Sequence, residues 1–468
     1  MYVTDALFSA RLVARARFVD VRISLIGQGS FPRANYGSYI VAGQVACCVS
    51  PDGTISVRRR LMVMAELLIR ASLQDQALLE RIFGTGAQQP RASLRPDRIV
   101  VDAHVPARTP EFSQIARQSG VPFIVDPQTY LFQDAQPVDD RWSSLPFGLP
   151  RALTPEEASR PVFLSDLARR AIDFQVVHGA TAIIPPYVHI DRPGSEWIDV
   201  QAGMWDYARA YLDNEAIALP VLAVMAVGWR MLQPVNGTRA LGPMMRALAD
   251  LAPREVALAA SKIDDGAHPD ERAMDLVLMV EQLRNDHSVV LWQQGRLGEL
   301  GIAAGAQGYE TGIGWRERCD LPATMSSRRR AQSGGARSGR PVFVAPLGRS
   351  VDKRSLEEIC HHRDIWTRLI CTDTDCCPDG GRAILDNGRA HTVVQRARRL
   401  SELGRIETPI WRWQNLAEAA DRGLELATRI NRLAQTSSSI TRVDTRALFA
   451  IRSVSHLRRL DARARGVA

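Results

Sequence analysis

Long apolar runs are missing from this sequence: no stretch approaches the roughly 18 to 20 uninterrupted apolar residues that a membrane span needs. A secretory leader is not expected either, because Asp5 and scattered arginines stand where its apolar core would be. We therefore expect a cytoplasmic protein with no membrane partner. No internal repeat is present, which argues against a repeat array. Chain-wide disorder is excluded by a composition of 46% hydrophobic and 24% charged residues over 468 positions, enough to bury a sizeable core. Lys plus Arg outnumber Asp plus Glu by 59 to 51, a net charge of +8 that permits a polyanionic partner without demanding one. The composition also admits a homo-oligomer.

From about residue 98 onward, short apolar runs alternate with helical patterns, the signature of βα units and a parallel sheet. The candidate strands begin at Arg98, Pro122, Thr181, Pro220, Glu255, Ser288, Gln307 and Pro341. Eight runs is the count that a closed (β/α)₈ TIM-like barrel requires, although a doubly wound open sheet shows the same alternation. Amphipathic helices with i, i+3, i+4 and i+7 spacing lie between the strands, one opening at Ser165 and another at Asp270. We expect an α/β chain with an N-terminal extension over 1–95, the barrel over 96–350, a metal-binding segment over 351–400 and a helical region over 401–468. The extension carries a hairpin signal around SPDGT and an Arg-studded helical pattern, RRRLMVMAELLIRASL. The basic, Gly/Ser-rich stretch from Ser326 to Arg340 reads as a loop suited to phosphate contacts or simply to solvent.

In a barrel, reactive groups sit at the C-terminal ends of the strands. That rule selects Asp102 and His104, then Asp126 and Gln128, then Tyr187 and His189. It further selects Lys262, Asp264 and Asp265, then Gln293, Gln294 and Arg296, and finally Glu310, Arg316 and Glu317. Asp126 follows an apolar strand and precedes Pro127, and glycines flank Glu310 in QGYETGIGWRERCD. Paired carboxylates across a pocket can divide nucleophilic and acid/base work; alternatively, Glu310 pairs with an arginine such as Arg316.

Of seven cysteines, four crowd between positions 360 and 377, and in a reducing compartment such a cluster reads as metal ligands before disulfides. Cys371, Cys376, Cys377 and His391 would make a closed tetrahedral Cys₃His site, the structural zinc type. Adjacent cysteines diverge, so Cys360, His361 or His362 is an alternative to one of them.

These residues together resemble the tRNA-guanine transglycosylase superfamily, whose barrel enzymes exchange guanine for a 7-deazaguanine in RNA and whose relatives modify DNA. VPFIVDPQTYLFQ is similar to the family's strand with its base-binding aspartate, placing Asp126 there. VVLWQQGRLGELGIAAGAQGYETGIGWR is similar to the segment carrying the family's nucleophilic aspartate, which puts Glu310 at that position and Tyr309 on the preceding aromatic. The sequence departs from the family in four places. Pro127, Gln128 and Thr129 replace Ser-Gly-Gly, Glu310 is one methylene longer, the cysteine spacing is altered, and Met225, Ala226 and Val227 precede Gly228 with no glutamine.

The resemblance covers about residues 95 to 400. It implies Zn²⁺ as a structural cofactor, Asp126 and Glu310 as catalytic groups, and a tRNA or DNA partner with a 7-deazaguanine-type base. It further implies substrate contacts from Asp102, His104, Gln128, Tyr130, Tyr187, Gln294, Tyr309 and Arg316. The tyrosines would wall a flipped base and Arg316 would lie under the phosphate backbone. Two other classes stay open: a non-catalytic nucleic-acid-binding barrel in a DNA-modification or defence system, and a barrel enzyme acting on a small molecule.

Overall fold

In the computed structural model, the described residues are 65–84, 94–134, 141–329 and 339–464, with the backbone of four short strands in the first 64. Contacts divide the chain into Met1–Met64 and Ala65–Ala468. The first unit holds an antiparallel sheet in which Val45–Val49 pairs with Ile55–Arg59, as the hairpin signal at SPDGT implies. The loop joining those strands lies outside the described residues.

The second unit is built on eight parallel strands. These are β1 (Glu66–Ala71), β2 (Arg98–Asp102), β3 (Phe123–Asp126), β4 (His189–Ile190), β5 (Leu222–Gly228), β6 (Glu255–Ser261), β7 (Ser288–Leu291) and β8 (Gly308–Gly312). Their order in the sheet is β3-β2-β1-β8-β7-β6-β5-β4. A principal helix follows each of the first seven: α1 (Gln76–Phe83), α2 (Glu111–Ser119), α3 (Pro161–Val177), α4 (Trp197–Asn214), α5 (Gly242–Leu251), α6 (Pro269–Leu283) and α7 (Gly298–Ala304). The strands are apolar along nearly their whole length because both of their faces are buried.

The sheet is curled. β2 and β6 stand four strands apart, about 19 Å along a flat sheet, yet Arg98 Nη2 donates to Glu255 Oε1 at 3.0 Å. Arg98 also pairs with Glu66, so three strand beginnings are tied by one guanidinium.

Two strand expectations are corrected. ELLIRA, read as part of a helix, is β1: it is buried on both faces, so its apolar run carries neither the helical nor the alternating period. The segment expected to be an extension therefore supplies the first strand of the sheet. PVFVAP at the other end is not in the sheet. Val342–Val344 (β9) pairs antiparallel with Arg349–Val351 (β10), and this hairpin packs in a second core with later helices. The third expected strand, TAIIPPY, is interrupted by Pro185 and Pro186. It contributes isolated bridges at Ala182 and Ile183 before β4 forms. The helix expected from Ser165 starts at Pro161, a favoured first position for proline, and α6 likewise opens on Pro269.

Beyond the hairpin lie α8 (Gly388–Arg405), α9 (Pro409–Thr436) and α10 (Arg446–Ala464). The Arg-rich stretch after His391 is thus helical, as its pattern implies. No helix among the described residues is long and apolar enough to cross a membrane.

Gly298 shows how tightly α7 meets the sheet, since a Cβ there would run into the ring of Tyr309. Gly298→Ala is expected to cost about 1 to 3 kcal/mol through overpacking. Urea denaturation measures it, and an unchanged midpoint would refute this packing.

Candidate functional site

One guanidinium organises the C-terminal end of the sheet. Arg70 sits on β1, between the strand of Glu310 and the strand of Asp102. Its Nε donates to Glu310 Oε1 at 3.0 Å, its Nη1 to Asp102 Oδ1 at 2.6 Å, and its Nη2 lies 2.9 Å from Asp126 Oδ2. Arg70 is 3% exposed, and Asp126 and Glu310 are fully buried. The guanidinium also lies over the ring of Trp292, 5.2 Å from its centroid. Asp102 and Asp126 end their strands in register, which is why two carboxylates reach one arginine.

The surrounding groups fix these carboxylates. Tyr187 donates its hydroxyl to Asp126 Oδ1 at 2.8 Å, and the Gln128 amide donates to the same oxygen at 3.0 Å. The Gln293 amide donates to Glu310 Oε2 at 2.9 Å. Arg316 pairs with the second oxygen of Asp102. Gln128, Lys262 and Gln293 hold positive φ within two residues of strand ends, and Arg316 does so four residues beyond β8; such strain, about 1 to 3 kcal/mol each, gathers at functional sites.

Burial alone would raise the Asp102 carboxyl, but Arg316 and then Arg70 overcome it and hold it well below the ordinary range. Glu310 goes the other way: burial raises it, and the pull of Arg70 offsets that only in part. Burial works against the charge of Arg70, yet Glu310, Asp126 and Asp102 keep it well above its usual value. His189 is pushed down to about 4 by burial and stays neutral at pH 7.

Of the expected site residues, the structure brings together Asp102, Asp126, Gln128, Tyr187, Glu310 and Arg316. Tyr130 stands beside Tyr187 with ring centroids 5.6 Å apart. His104 opens the short helix after β2, lowered by burial while Asp102 pulls it up. Gln294 donates its side chain to the Ala260 carbonyl, and its backbone amide to that of Glu310. Tyr309 is a correction: strand alternation turns it away from Glu310, and it packs on Gly298 and Arg396 instead of walling the same site. The proposed pairing of Glu310 with Arg316 is also corrected, because Arg70 takes Glu310 and Arg316 takes Asp102. Arg340, expected in a phosphate-contacting loop, pairs with Asp75 and lies over Trp315. Residues 330–338 of that loop are outside the described ones. Sequence reasoning missed Arg70, whose only signal was a charge inside an apolar run, and Trp292.

A second cluster joins Cys371, Cys376, Cys377 and His391, whose ligand atoms all lie within 4.8 Å of one another, so it could hold a metal ion. His391 Nδ1 is 3.3 Å from Cys376 Sγ and 3.5 Å from Cys377 Sγ. Its Nε2 lies 3.0 Å from the Phe343 carbonyl, an arrangement that leaves Nδ1 free to ligate. Hydrogen bonds from Cys376 and Cys377 hold the Cys371 thiol well below its usual range. Adjacent Cys376 and Cys377 both face His391, and Cys360 instead bonds the Glu357 carbonyl. No protein-family model matches the chain, and no curated protein matches it.

The two carboxylate shifts set opposite pH trends. Asp102, lowered in the fold, contributes stability that is present above about pH 4 and is lost as pH falls toward its folded value. Glu310, raised in the fold, contributes most below about pH 4, and that contribution is lost as pH rises through its folded value. Asp102→Asn is therefore expected to flatten the acid limb of unfolding free energy between about pH 4 and pH 2. Urea titrations across that window measure it, and a limb as steep as in wild type would overturn the assignment.

Proposed function

We propose that this chain is a transglycosylase-like enzyme that exchanges or modifies a guanine-type base in tRNA or DNA, with Glu310 as nucleophile and Asp126 as base-binding and acid/base group. The observation that carries the reading is the meeting of Asp126 and Glu310 on one guanidinium at the C-terminal end of a parallel sheet, where barrel chemistry collects. The sheet is read as a closed (β/α)₈ barrel. Thr181 donates to the Phe123 carbonyl at 2.8 Å and Leu222 to that of Ile183 at 2.8 Å, so main-chain bonds bridge the gap between β3 and β5.

In the proposed reaction, Glu310 Oε attacks the sugar C1′, the C1′–N bond to the base breaks, and the base leaves with the bonding pair. The incoming base then attacks the same carbon, the bond from C1′ to Glu310 breaks to release the carboxylate, and the proton that the incoming nitrogen loses passes by way of Asp126 to the departed base. Arg70 holds the charge of Glu310 until the sugar arrives, and Tyr187 keeps Asp126 oriented. Tyr130 and Tyr187 supply aromatic surface for a base taken out of its stack.

Glu310→Gln and Asp126→Asn are expected to lower incorporation of labelled guanine into tRNA or DNA by at least about 10² to 10⁴-fold, with circular dichroism unchanged. Wild-type incorporation in both variants would sink the reading. One observation favours a second reading, a non-catalytic nucleic-acid-binding barrel: all three carboxylates are buried and engaged by arginine. Under it the wild type incorporates no base, and both variants bind nucleic acid as it does.

The metal is read as a structural Zn²⁺. Three thiolates and one imidazole fit its tetrahedral preference and leave no position open for water. Elemental analysis is expected to find one equivalent per chain in the wild type and none in Cys371→Ser or His391→Ala, with a lower melting point in both. Metal-free wild type would remove the assignment.

A further inference from the structure

A polynucleotide substrate needs cations for its phosphates, and several of those near the C-terminal end of the sheet are already engaged. Arg316 pairs with Asp102, Arg340 with Asp75, and Arg318 with Asp264 and Asp265. Behind β8, on the side that Tyr309 occupies, Arg296, Arg396 and Arg399 form an outer cluster. There Glu299 takes Arg296 and Arg399, and Glu317 takes Arg396.

The ends of β5 and β6 offer cations of another kind. Trp229 opens a short turn directly after β5. Two guanidiniums lie over its ring, that of Arg272 from the first turn of α6 at 3.9 Å from the centroid and that of Arg230 at 4.9 Å. An aromatic face holds a guanidinium in place without cancelling its charge, which a carboxylate would do. Lys262 directly follows β6. Its amide donates to the Cys319 carbonyl at 3.0 Å, and its carbonyl accepts from Arg272 Nη1 at 3.0 Å. Those bonds hold Lys262 at a φ of 61°, left-handed for a residue with a side chain, and such a conformation persists only where its surroundings impose it.

The group is open to solvent: Trp229, Lys262 and Arg272 are half-buried and Arg230 is exposed. The carboxylates nearby are held by arginines. Asp191 pairs with Arg230 at 3.3 Å, Asp264 with Arg318, and Asp265 with both Arg318 and Arg446. Lys262 and Arg272 therefore form no ion pair among the described residues. Burial lowers the Arg272 guanidinium, and Asp265 offsets that only in part. The group also adjoins the proposed reaction site. Ala260, two residues before Lys262, accepts from the Gln294 side chain at 2.7 Å, and the Gln294 amide donates to the Glu310 carbonyl at 3.1 Å.

We propose that Arg230, Lys262 and Arg272 form a rim that carries the phosphate backbone of the polynucleotide whose base reaches Glu310. The assignment rests on the nucleic-acid reading above and uses none of the residues given a role in base exchange.

Fluorescence anisotropy of the full chain with labelled tRNA and with a labelled single-stranded DNA oligonucleotide, across a series of salt concentrations, tests it. The wild type is expected to bind at least one of them, less tightly as salt rises. Lys262→Gln and Arg230→Gln should each reduce the slope of log affinity against log salt by about one. The double variant should bind about tenfold more weakly or worse. Arg209→Gln should bind as the wild type does, because Arg209 on α4 reaches the Leu251 carbonyl at the opposite end of the strands. Arg230 is exposed, so its variant decides the matter even if Lys262→Gln disturbs folding. Wild-type affinity and slope in Arg230→Gln and in the double variant would overturn the rim alone, as would an equal loss in Arg209→Gln. No binding of either nucleic acid by the wild type, with or without binding of anionic phosphatidylserine vesicles, would overturn both the rim and the reading it rests on. A wild type that binds through these residues yet exchanges no base would support the rim and remove only the chemistry assigned to Glu310.

Discussion

The ion cluster around Arg70 is the constraint on which the upper end of the sheet depends. Three carboxylates from three strands cannot share a dry interior unless a cation stands between them, because each ionised group costs several kcal/mol to desolvate. Arg70 meets that need from the strand lying between β8 and β2, and Arg316 supplies a second cation at Asp102. The pair differs from an ordinary salt bridge in geometry: each guanidinium edge addresses a different strand. Removing one member of such a buried set costs about 3 to 5 kcal/mol, chiefly by leaving its partners uncompensated. Such a cluster adds little net stability over an apolar replacement, and its contacts join β1 to β2, β3 and β8.

The same device recurs at the opposite end. Arg98 ties Glu66 and Glu255 across the curl, so charged residues stand at both ends of the strands while apolar side chains fill the length between. A wrong strand register would bury at least one of these charges unpaired. Arginine suits both places because its fork reaches several acceptors at fixed angles, which a lysine ammonium cannot do.

The sequence made the alternating βα pattern, the polar strand ends and the four clustered metal-type ligands legible, because each rests on a local period or on spacing. It concealed β1. ELLIRA is apolar on both faces, and its single arginine reads on paper as the polar side of a helix; only tertiary placement between Glu310 and Asp102 reveals what that charge does. PVFVAP misled in the opposite way, since an apolar run of strand length does not say which sheet, or which core, it joins. Tyr309 was legible in principle. Once Glu310 is placed facing the interior, the two-residue period of a strand sends its neighbour to the other side.

That alternation links the two arginine clusters. Glu310 meets Arg70 inside the sheet, while Tyr309, one residue earlier, meets Arg396 outside it. The loop after β7 makes the same connection: the Gln293 amide holds Glu310, and Arg296, three residues later, enters the outer cluster. Gly295 between them has positive φ, and a Cβ there would run into the Glu317 carbonyl, so the loop has little room to change course. Arg296 in turn fills the space beside Gly348 that a larger residue would take. A shift of Arg296 must then be absorbed by the hairpin at Gly348 or by the three residues leading back to Gln293. In an interior at crystal-like density, the segment from Gln293 to Arg296 thus packs against the Glu310 carboxylate at one end and the hairpin at Gly348 at the other.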